Sequence, residues 1–389
     1  MVLEKNIKLL KWHTFFTDFT LWAPLGIIYF SKVSGSYALG ISIYSIIMVS
    51  SAIFELPTGI FSDKFGRVKT FILGSLSYLL SGIFFAIGLK YQILIIGAIF
   101  AGLGRSSYSG NNDALLYDNL SQVNKKDDFT EYNGKIGSMS QIALGISAVI
   151  GGIIAYFSFS LLMWVSVIPL LICLFISLQL KEVVQIDKTD DNIFAHTKQA
   201  LKNFLSNTKL KLISLSDIIN FGLGEAGWNF RSAFITTVWP VWAIGIGQVL
   251  NNIGSAFSFH FSGKAIKKFK PINILIFKLN LNGVINLTSI FLANVFSPIL
   301  MSLNSLFYGV GQVAKNKLLQ DEFSDKQRAT MGSLNSLAGS LFYSIFAVIL
   351  GILADHLGPK NALLIQYTLG LSVLFLYFSL KKIIKNETA

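Results

Sequence analysis

The chain has 389 residues, of which 53% are hydrophobic and 13% are charged, and its formal net charge is +12. Soluble domains carry roughly 25% charged residues, so this composition excludes an ordinary soluble fold. The single cysteine, Cys173, also excludes an intramolecular disulfide and a clustered thiolate metal site.

The apolar residues fall into segments that are long enough to span a membrane. A helix needs about 20 apolar residues to cross the hydrocarbon core with its backbone paired internally. The stretch Leu10 to Phe30 contains Asp18 and is followed by no small-residue cleavage site, so we interpret it as a retained helix and not a signal peptide. Twelve spans are predicted, over residues 11–31, 39–61, 70–89, 92–118, 134–157, 159–180, 210–235, 241–263, 272–293, 297–318, 330–353 and 361–380.

The basic residues orient these spans, because cytoplasmic loops carry the excess of lysine and arginine. With both termini inside, only Lys32, Lys90 and Lys360 fall outside, and Arg105, Arg231 and Lys278 fall within spans. All others of the 32 basic residues, Lys315 among them, are counted on the cytoplasmic side. The net charge is thereby explained without nucleic acid as a partner.

The longest polar interval divides six helices from six. We predict an N-terminal bundle over 1–180, a cytoplasmic linker over 181–209 with a short amphipathic helix near Ile193 to Leu205, and a C-terminal bundle over 210–389. The two halves share features in the same order, including Gly102-Leu-Gly104 against Gly309-Val-Gly311. Such an internal repeat is typical of secondary transporters.

The loop after the second helix carries a specific pattern. It runs Gly59-Ile-Phe-Ser-Asp63-Lys64-Phe-Gly66-Arg67-Val-Lys69, and it resembles the motif between helices two and three of the major facilitator superfamily of secondary transporters. Segments elsewhere are similar to a bacterial branch of drug and small-molecule exporters: Glu55-Leu-Pro-Thr, Asn112-Asp113-Ala-Leu-Leu-Tyr-Asp118 and Arg328-Ala-Thr. The chain departs from the antiporter signature of helix five, where it has Ala143, Ser147 and Ala148 before Gly151.

The resemblance implies an all-α integral membrane fold with twelve helices in two pseudo-symmetric six-helix bundles. It also implies that helices one, four, seven and ten line the substrate cavity. Charged, aromatic and amide side chains on these helices are the candidates for substrate binding or proton coupling: Asp18, Arg105, Asp113, Glu225, Trp228, Arg231, Asn304, Tyr308 and Gln312. A cytoplasmic gating group is expected at Glu55, Gly59, Asp63, Lys64, Gly66, Arg67 and Asp118.

Ionisable groups inside the bilayer are costly, so each requires a partner, water or a role. Asp18 is a substrate or proton site, or else it pairs with Arg105 or caps a helix. Glu225 is a coupling or substrate group, or else it pairs with Arg231 or Arg105. Arg105 holds a carboxylate or binds an anionic substrate group, and Arg231 binds substrate or extends to the interface.

Helix ten presents Asn304, Tyr308 and Gln312 at intervals of four, which predicts one polar face. Trp228 and Tyr308 are candidates to stack on a ligand, with helix packing as the alternative. His13, His196, His260 and His356 are scattered, so no metal site is expected, and no nucleotide-binding loop of the form Gly-x4-Gly-Lys-Ser/Thr is present.

These patterns predict a secondary transporter that needs no cofactor and performs no catalysis. The substrate is a small molecule, protons and membrane lipids are the other expected partners, and the chain is expected to act as a monomer in a bacterial inner or plasma membrane. Proton-coupled efflux of an amphipathic molecule is the first interpretation. Import of a metabolite or nutrient, or lipid flipping on the same fold, are the alternatives.

Overall fold

The computed structural model describes residues 2–182, 207–322 and 328–387. All regular secondary structure within these ranges is helical. The expected amphipathic helix near 193–205 lies outside the described residues. The Cα positions divide into two compact units, Met1–Thr189 with Pro240–Ile246, and Asp190–Trp239 with Gly247–Ala389.

The first unit contains nine α-helices within the described range. They are α1 (Val2–Asp18), α2 (Gly26–Ser34), α3 (Tyr37–Phe65), α4 (Arg67–Ile87), α5 (Tyr91–Tyr108), α6 (Asn111–Gln122), α7 (Phe129–Phe157), α8 (Phe159–Val165) and α9 (Val167–Ser177). Side chains cap several starts, as where Ser36 accepts a hydrogen bond from the Leu39 backbone. Positive-φ glycines end others, as at Gly35 and Gly88.

The second unit has the remaining described α-helices. They are α10 (Thr208–Ile235), α11 (Ile244–Lys268), α12 (Pro271–Leu292), α13 (Ser297–Ser302), α14 (Tyr308–Glu322), α15 (Arg328–Gly370) and α16 (Val373–Glu387). A 3₁₀ segment, Leu303–Phe307, joins α13 to α14. Within α15, Gly358 has a φ of 80° and a ψ of 159°, so two helices meet at a sharp break there.

Helix covers most of each of the twelve predicted spans, and the all-α class is confirmed. Within the described ranges, seven helical stretches are long and apolar enough, by length and composition, to cross a membrane. Several spans expected to be continuous are interrupted, at the α1–α2, α5–α6, α8–α9 and α13–α14 junctions. The prediction of an unbroken first helix over 11–31 is therefore wrong.

Apolar clusters hold each unit together, and a further apolar surface is exposed. In the first unit one cluster includes Leu10, Phe71 and Leu115, and in the second unit a cluster includes Leu210 and Ile272. Large apolar side chains are nonetheless exposed on many helices, with Phe157 at 76% and Phe375 at 77%. A water-exposed surface of this kind is a liability, whereas acyl chains solvate it.

Candidate functional site

The first membrane segment breaks immediately after Asp18. Helix α1 ends at Asp18, residues 19–22 are not helical, and a 3₁₀ turn over Ala23–Leu25 leads into α2. The backbone N–H of Thr20 donates to the Asp18 carbonyl at 2.8 Å, which turns the chain sharply. Non-helical backbone at membrane depth is tolerated only where protein buries it or where it lines a wet cavity. The break is therefore the expected place for a functional carboxylate.

Helix α7 accommodates this break through a glycine. A Cβ added to Gly151 would lie 2.0 Å from the carbonyl oxygen of Leu21, which is inside van der Waals contact. Leu21 is itself 1% exposed, so the non-helical segment is packed and not displaced outward. The missing side chain at Gly151 lets the two backbones approach.

Asp18 accepts a hydrogen bond from the Ser140 side chain of α7. Tyr78 of α4 lies within electrostatic reach of both Asp18 and Arg105. Among the described residues, however, no ion pair joins Asp18 to Arg105, whose side chain is exposed. The structure thus groups Asp18, Ser140, Tyr78 and Arg105 in one region of the first unit. The ion pair with Arg105, one of the alternatives for Asp18, is not formed.

A buried polar network surrounds His13, one turn before Asp18 on α1. His13 is 1% exposed, and its Nε2 lies 3.0 Å from both Ser75 Oγ and Tyr108 Oη. Its Nδ1 lies 3.2 Å from Thr17 Oγ1. The Cys173 thiol donates to the His13 carbonyl, at 3.6 Å. Sequence reasoning missed this network, because its members lie on four separate helices.

The contacts of this network fit one self-consistent arrangement of hydrogens. In it, Ser75 Oγ donates to the Phe71 carbonyl at 3.1 Å and the Tyr108 hydroxyl donates to Ser75 across 2.7 Å. Both oxygens then act as acceptors toward His13, which places a proton on Nε2 and leaves Nδ1 to accept from Thr17. His13 is thereby a neutral imidazole with every polar atom satisfied, and the network is electrically neutral.

The fourth membrane segment also breaks, between α5 and α6. Ser109 and Gly110 separate the two helices, and Gly110 has a φ of 66°. Asp113 lies in the first turn of α6 with its side chain exposed, where the helix N-terminus favours a negative charge.

Helix α10 carries Glu225, Trp228 and Arg231. Arg231 is 9% exposed, its Nη1 lies 3.4 Å from Asn251 Oδ1, and its guanidinium lies 4.5 Å from the Trp228 ring centroid. Burial excludes extension of Arg231 to the interface, and its contacts are with an amide and an indole, not with Glu225. Glu225 is half-buried on the same helix.

The expected polar face of helix ten is divided by a change of helix type. Asn304 lies in the 3₁₀ segment, whereas Tyr308 and Gln312 lie in α14. Because a 3₁₀ turn holds three residues, a spacing of four no longer places Asn304 above Tyr308. Asn304 Nδ2 instead donates to Asn286 Oδ1 of α12 at 2.7 Å. Tyr308 is 43% exposed and packs edge-on against Phe259, and Gln312 is half-buried.

A charged cluster in the second unit was not anticipated. Lys315 Nζ of α14 lies 2.9 Å from Asp217 Oδ1 of α10, and Asn335 Nδ2 of α15 donates to Asp217 Oδ2 at 2.6 Å. Lys278 of α12 lies within electrostatic reach of both Lys315 and Asp217. Lys315 had been counted as cytoplasmic, but it lies inside α14 with a side chain only 23% exposed. A sequence signal for this cluster was Lys278, because it interrupts an otherwise apolar run.

The loop motif after α3 is organised around Arg67. Its Nε lies 2.7 Å from Asp118 Oδ2 of α6, and Asn111 Nδ2 donates to the Arg67 carbonyl at 3.0 Å. The carboxylate of Glu182 accepts hydrogen bonds from the backbone N–H groups of Arg67 and Val68. Sequence reasoning missed Glu182, which caps the first turn of α4 from 115 residues away.

Gly66 has a φ of 104°, and a Cβ there would lie 2.6 Å from Glu182 Oε2, so the position requires glycine. The other expected gating residues are on the surface of the first unit. Glu55, Gly59, Asp63 and Lys64 are all exposed along the last turns of α3, and Lys64 Nζ lies 5.4 Å from the Phe65 ring centroid. The structure thus joins Gly66, Arg67 and Asp118 in one contact group and leaves the α3 residues accessible.

Comparison with known proteins agrees with this architecture. The chain is 25% identical over 388 residues to the uncharacterized MFS-type transporter MJ1560 of Methanocaldococcus jannaschii, covering 92% of this chain and 94% of that one. It is 31% identical over 177 residues to the uncharacterized transporter BU466 of Buchnera aphidicola, covering 44% and 42% of the two chains. The crystal structure of the nucleoside transporter NupG is similar in fold, with a TM-score of 0.83, 13% identity, and coverage of 98% of this chain and 100% of that one.

The sequence profile of the Major Facilitator Superfamily matches residues 12–341, which is most of the chain. The match includes the broken first segment at Asp18, the Arg67–Asp118 group and the charged cluster around Asp217. This chain therefore belongs to the Major Facilitator Superfamily and is a multi-pass secondary transporter of the membrane.

Proposed function

We propose that this transporter exports a small amphipathic molecule by alternating access and that proton movement through Asp18 drives it. The observation that carries the proposal is the position of Asp18, at the end of α1 where the first membrane segment loses its helical hydrogen bonds. At such a break the half-buried Asp18 lies within the membrane-spanning part of the chain, beside backbone groups that no longer pair within a helix.

The surroundings of Asp18 suit reversible protonation. Its hydrogen-bond partner is the Ser140 hydroxyl, which can donate to a carboxylate or accept from a carboxylic acid. A permanent ion pair would hold the carboxylate in its charged form, and none joins it to Arg105 among the described residues. Asp18 can therefore change charge without leaving a buried cation unpaired.

The substrate class follows from accessible aromatic side chains on the candidate helices. Trp228 and Tyr308 are each 43% exposed, and their rings offer flat apolar faces. Each ring also lies beside a cation, Arg231 at Trp228 and Lys278 at Tyr308. Export as the direction is supported by the residue patterns at Glu55, Asn112–Asp118 and Arg328. The distribution of lysine and arginine supports cytoplasmic termini, and the proposal takes the transporter as a monomer in a bacterial inner or plasma membrane.

The proposal is tested by accumulation of a dye and drug panel in cells that express the protein, with and without a protonophore. Wild type should lower accumulation of at least one compound, and both the protonophore and Asp18→Asn should abolish that effect. Glu225→Gln tests the second membrane carboxylate of the candidate set. The control is Glu131→Gln, which removes an exposed carboxylate that pairs with Lys135 on α7. If Asp18→Asn and Glu225→Gln together leave transport equally sensitive to the proton gradient, the coupling proposal fails.

Uptake of a metabolite is the second candidate, and two cations of the second unit favour it, the buried Arg231 and the half-buried Lys278. The described partners of Arg231 are an amide and a ring, and Lys278 has no carboxylate of its own, so both suit anionic metabolites. Flux measured in right-side-out and everted vesicles distinguishes uptake from export. A lipid-scrambling assay in liposomes separates both from lipid flipping.

A further inference from the structure

Lys278 is a lysine held inside the second unit by close packing. It lies in the second turn of α12 and crosses α14 at Gly311, where an added Cβ would approach its Cδ to 2.4 Å and its Nζ to 2.8 Å. The same Nζ lies 5.6 Å from the Tyr308 ring centroid. The missing side chain at Gly311 therefore leaves room for the end of the Lys278 side chain, beside an exposed aromatic ring.

Both oxygens of the nearby Asp217 carboxylate already have partners. Asp217 receives Lys315 on one oxygen at 2.9 Å and Asn335 on the other at 2.6 Å. Among the described residues, Lys278 has neither an ion pair nor a hydrogen bond, and its contact is the Tyr308 ring. Two ammonium groups thus share one carboxylate, and the cluster has one uncompensated positive charge.

An uncompensated charge within a membrane-spanning helix is costly and marks a functional group. The Tyr308 ring offsets only part of this cost, because a cation–π contact is weaker than an ion pair at the same depth. The neighbouring Lys315 raises the cost further by repulsion. An anion at Lys278 would neutralise the cluster, so the site is complete only when an anion is bound.

We propose that Lys278 binds the carboxylate of a small amphipathic monocarboxylate whose apolar body lies against Tyr308. A single negative charge brings the cluster formed by Lys278, Lys315 and Asp217 to neutrality. A doubly charged phosphate would leave an excess negative charge next to Asp217.

This inference rests on the proposed function in one respect, namely that the ligand is the transported molecule, and it can be tested without transport. The probe is radiolabelled benzoate, measured by equilibrium binding to the full-length protein in nanodiscs. Wild type should bind benzoate in a saturable manner. Unlabelled benzoate should displace it, whereas neutral benzamide and inorganic phosphate should not.

Three variants define the site. Lys278→Gln should weaken benzoate binding on the order of tenfold or more, which is about 1.4 kcal/mol or more of binding free energy. Lys278→Arg should retain much of the binding because it keeps the charge. Gly311→Ala keeps every charge but displaces the ammonium, so it should weaken binding with Lys278 still present. Lys268→Gln, at the exposed end of α11, is the matched control and should bind like wild type.

Folding is monitored by the melting temperature of each unliganded variant, and Lys278→Gln should melt no lower than wild type because it removes an uncompensated charge. Unchanged benzoate binding in both Lys278→Gln and Gly311→Ala would overturn the inference, and so would equal displacement by phosphate. Loss of proton-driven flux with intact benzoate binding would contradict only the proposed function. Intact flux with no benzoate binding would contradict only this inference.

Discussion

Each unit of the transporter buries a polar group among its helices, but the two groups differ in charge. In the first unit, His13 forms a neutral network in which each hydrogen-bonding atom has a partner. In the second unit, Asp217 balances only one of the two lysines near it. A satisfied neutral network fixes side chains in one arrangement, whereas an unbalanced cluster gains from a ligand.

This difference distinguishes a neutral network that stabilises the first unit from a charged cluster in the second unit that is expected to bind a ligand. In the first unit the ionisable group is Asp18, which lies beyond the His13 network at the helix break. In the second unit the excess charge lies within the cluster itself, at Lys278. We therefore expect substitutions of His13 to affect mainly stability, and substitutions around Lys278 to affect ligand binding as well.

Asp217→Asn should have the largest effect on stability. It removes the one carboxylate of the cluster and leaves both lysines uncompensated, and breaking a buried ion pair costs about 3–5 kcal/mol of unfolding free energy. The measurement is the melting temperature in detergent. The double variant Asp217→Asn with Lys315→Gln should recover much of the loss, because the stranded charge is then removed.

Asp321→Asn is the control for this experiment, since its pair with Lys317 is about half exposed on both sides. Surface pairs contribute about 0–1 kcal/mol, so this variant should melt near wild type. Equal melting temperatures for Asp217→Asn and Asp321→Asn would show that the charged cluster is solvated and would remove the contrast between the two units.

His13→Ala should cost somewhat less, about 2–4 kcal/mol of unfolding free energy, from the cavity and from the unpaired hydroxyls of Ser75 and Thr17. Benzoate binding at 25 °C should be unchanged, because the network lies in the other unit. His260→Ala, on the exposed face of α11, is the control and should melt like wild type. A His13→Ala variant with wild-type stability but no transport would instead assign the network to the transport mechanism.

Gly151→Ala should have an intermediate effect, because the new Cβ meets the Leu21 carbonyl at 2.0 Å. Overpacking of this kind costs about 1–3 kcal/mol, and the backbone around Asp18 must shift, so transport should fall together with melting temperature. Gly145→Ala on the same helix has open space at the Cβ position and should be neutral or slightly stabilising. Similar behaviour of the two variants would argue against a packed break after Asp18.

Local features of this fold were predictable and long-range contacts were not. Helix α3 (Tyr37–Phe65) was expected over 39–61 because its long apolar run is local in sequence, and the Ser36 cap that the structure adds is local as well. The break after Asp18 has only Pro24 as a local signal, since the supporting glycine lies on α7. The Asp217–Lys315 pair joins residues far apart in the chain, so composition and spacing carry no information about it.

In the candidate site, too, individual residues were predictable from the sequence and their contacts were not. The charges of the membrane segments, including Asp18 and Arg231, were visible in the sequence because each interrupts an apolar run. It did not reveal their partners: Asp18 bonds to Ser140, and Arg231 contacts Asn251 and Trp228. Partner choice depends on side-chain geometry between helices, which one sequence without relatives does not encode in a readable pattern.

Glu182→Gln should have the smallest effect and tests how each unit begins a helix. In the first unit, α4 is capped by Glu182 from a distant segment, whereas in the second unit α10 is capped locally by Asn207, which accepts from the Leu210 N–H at 3.0 Å. The variant loses a negative charge at a helix N-terminus and should cost about 0.5–2 kcal/mol, at the lower end because Glu182 is exposed. Amide hydrogen exchange should accelerate at Arg67 and Val68 and stay unchanged at Leu210. Unchanged exchange at Arg67 and Val68 would mean that the Arg67–Asp118 ion pair alone holds the start of α4, and that the distant carboxylate contributes nothing there.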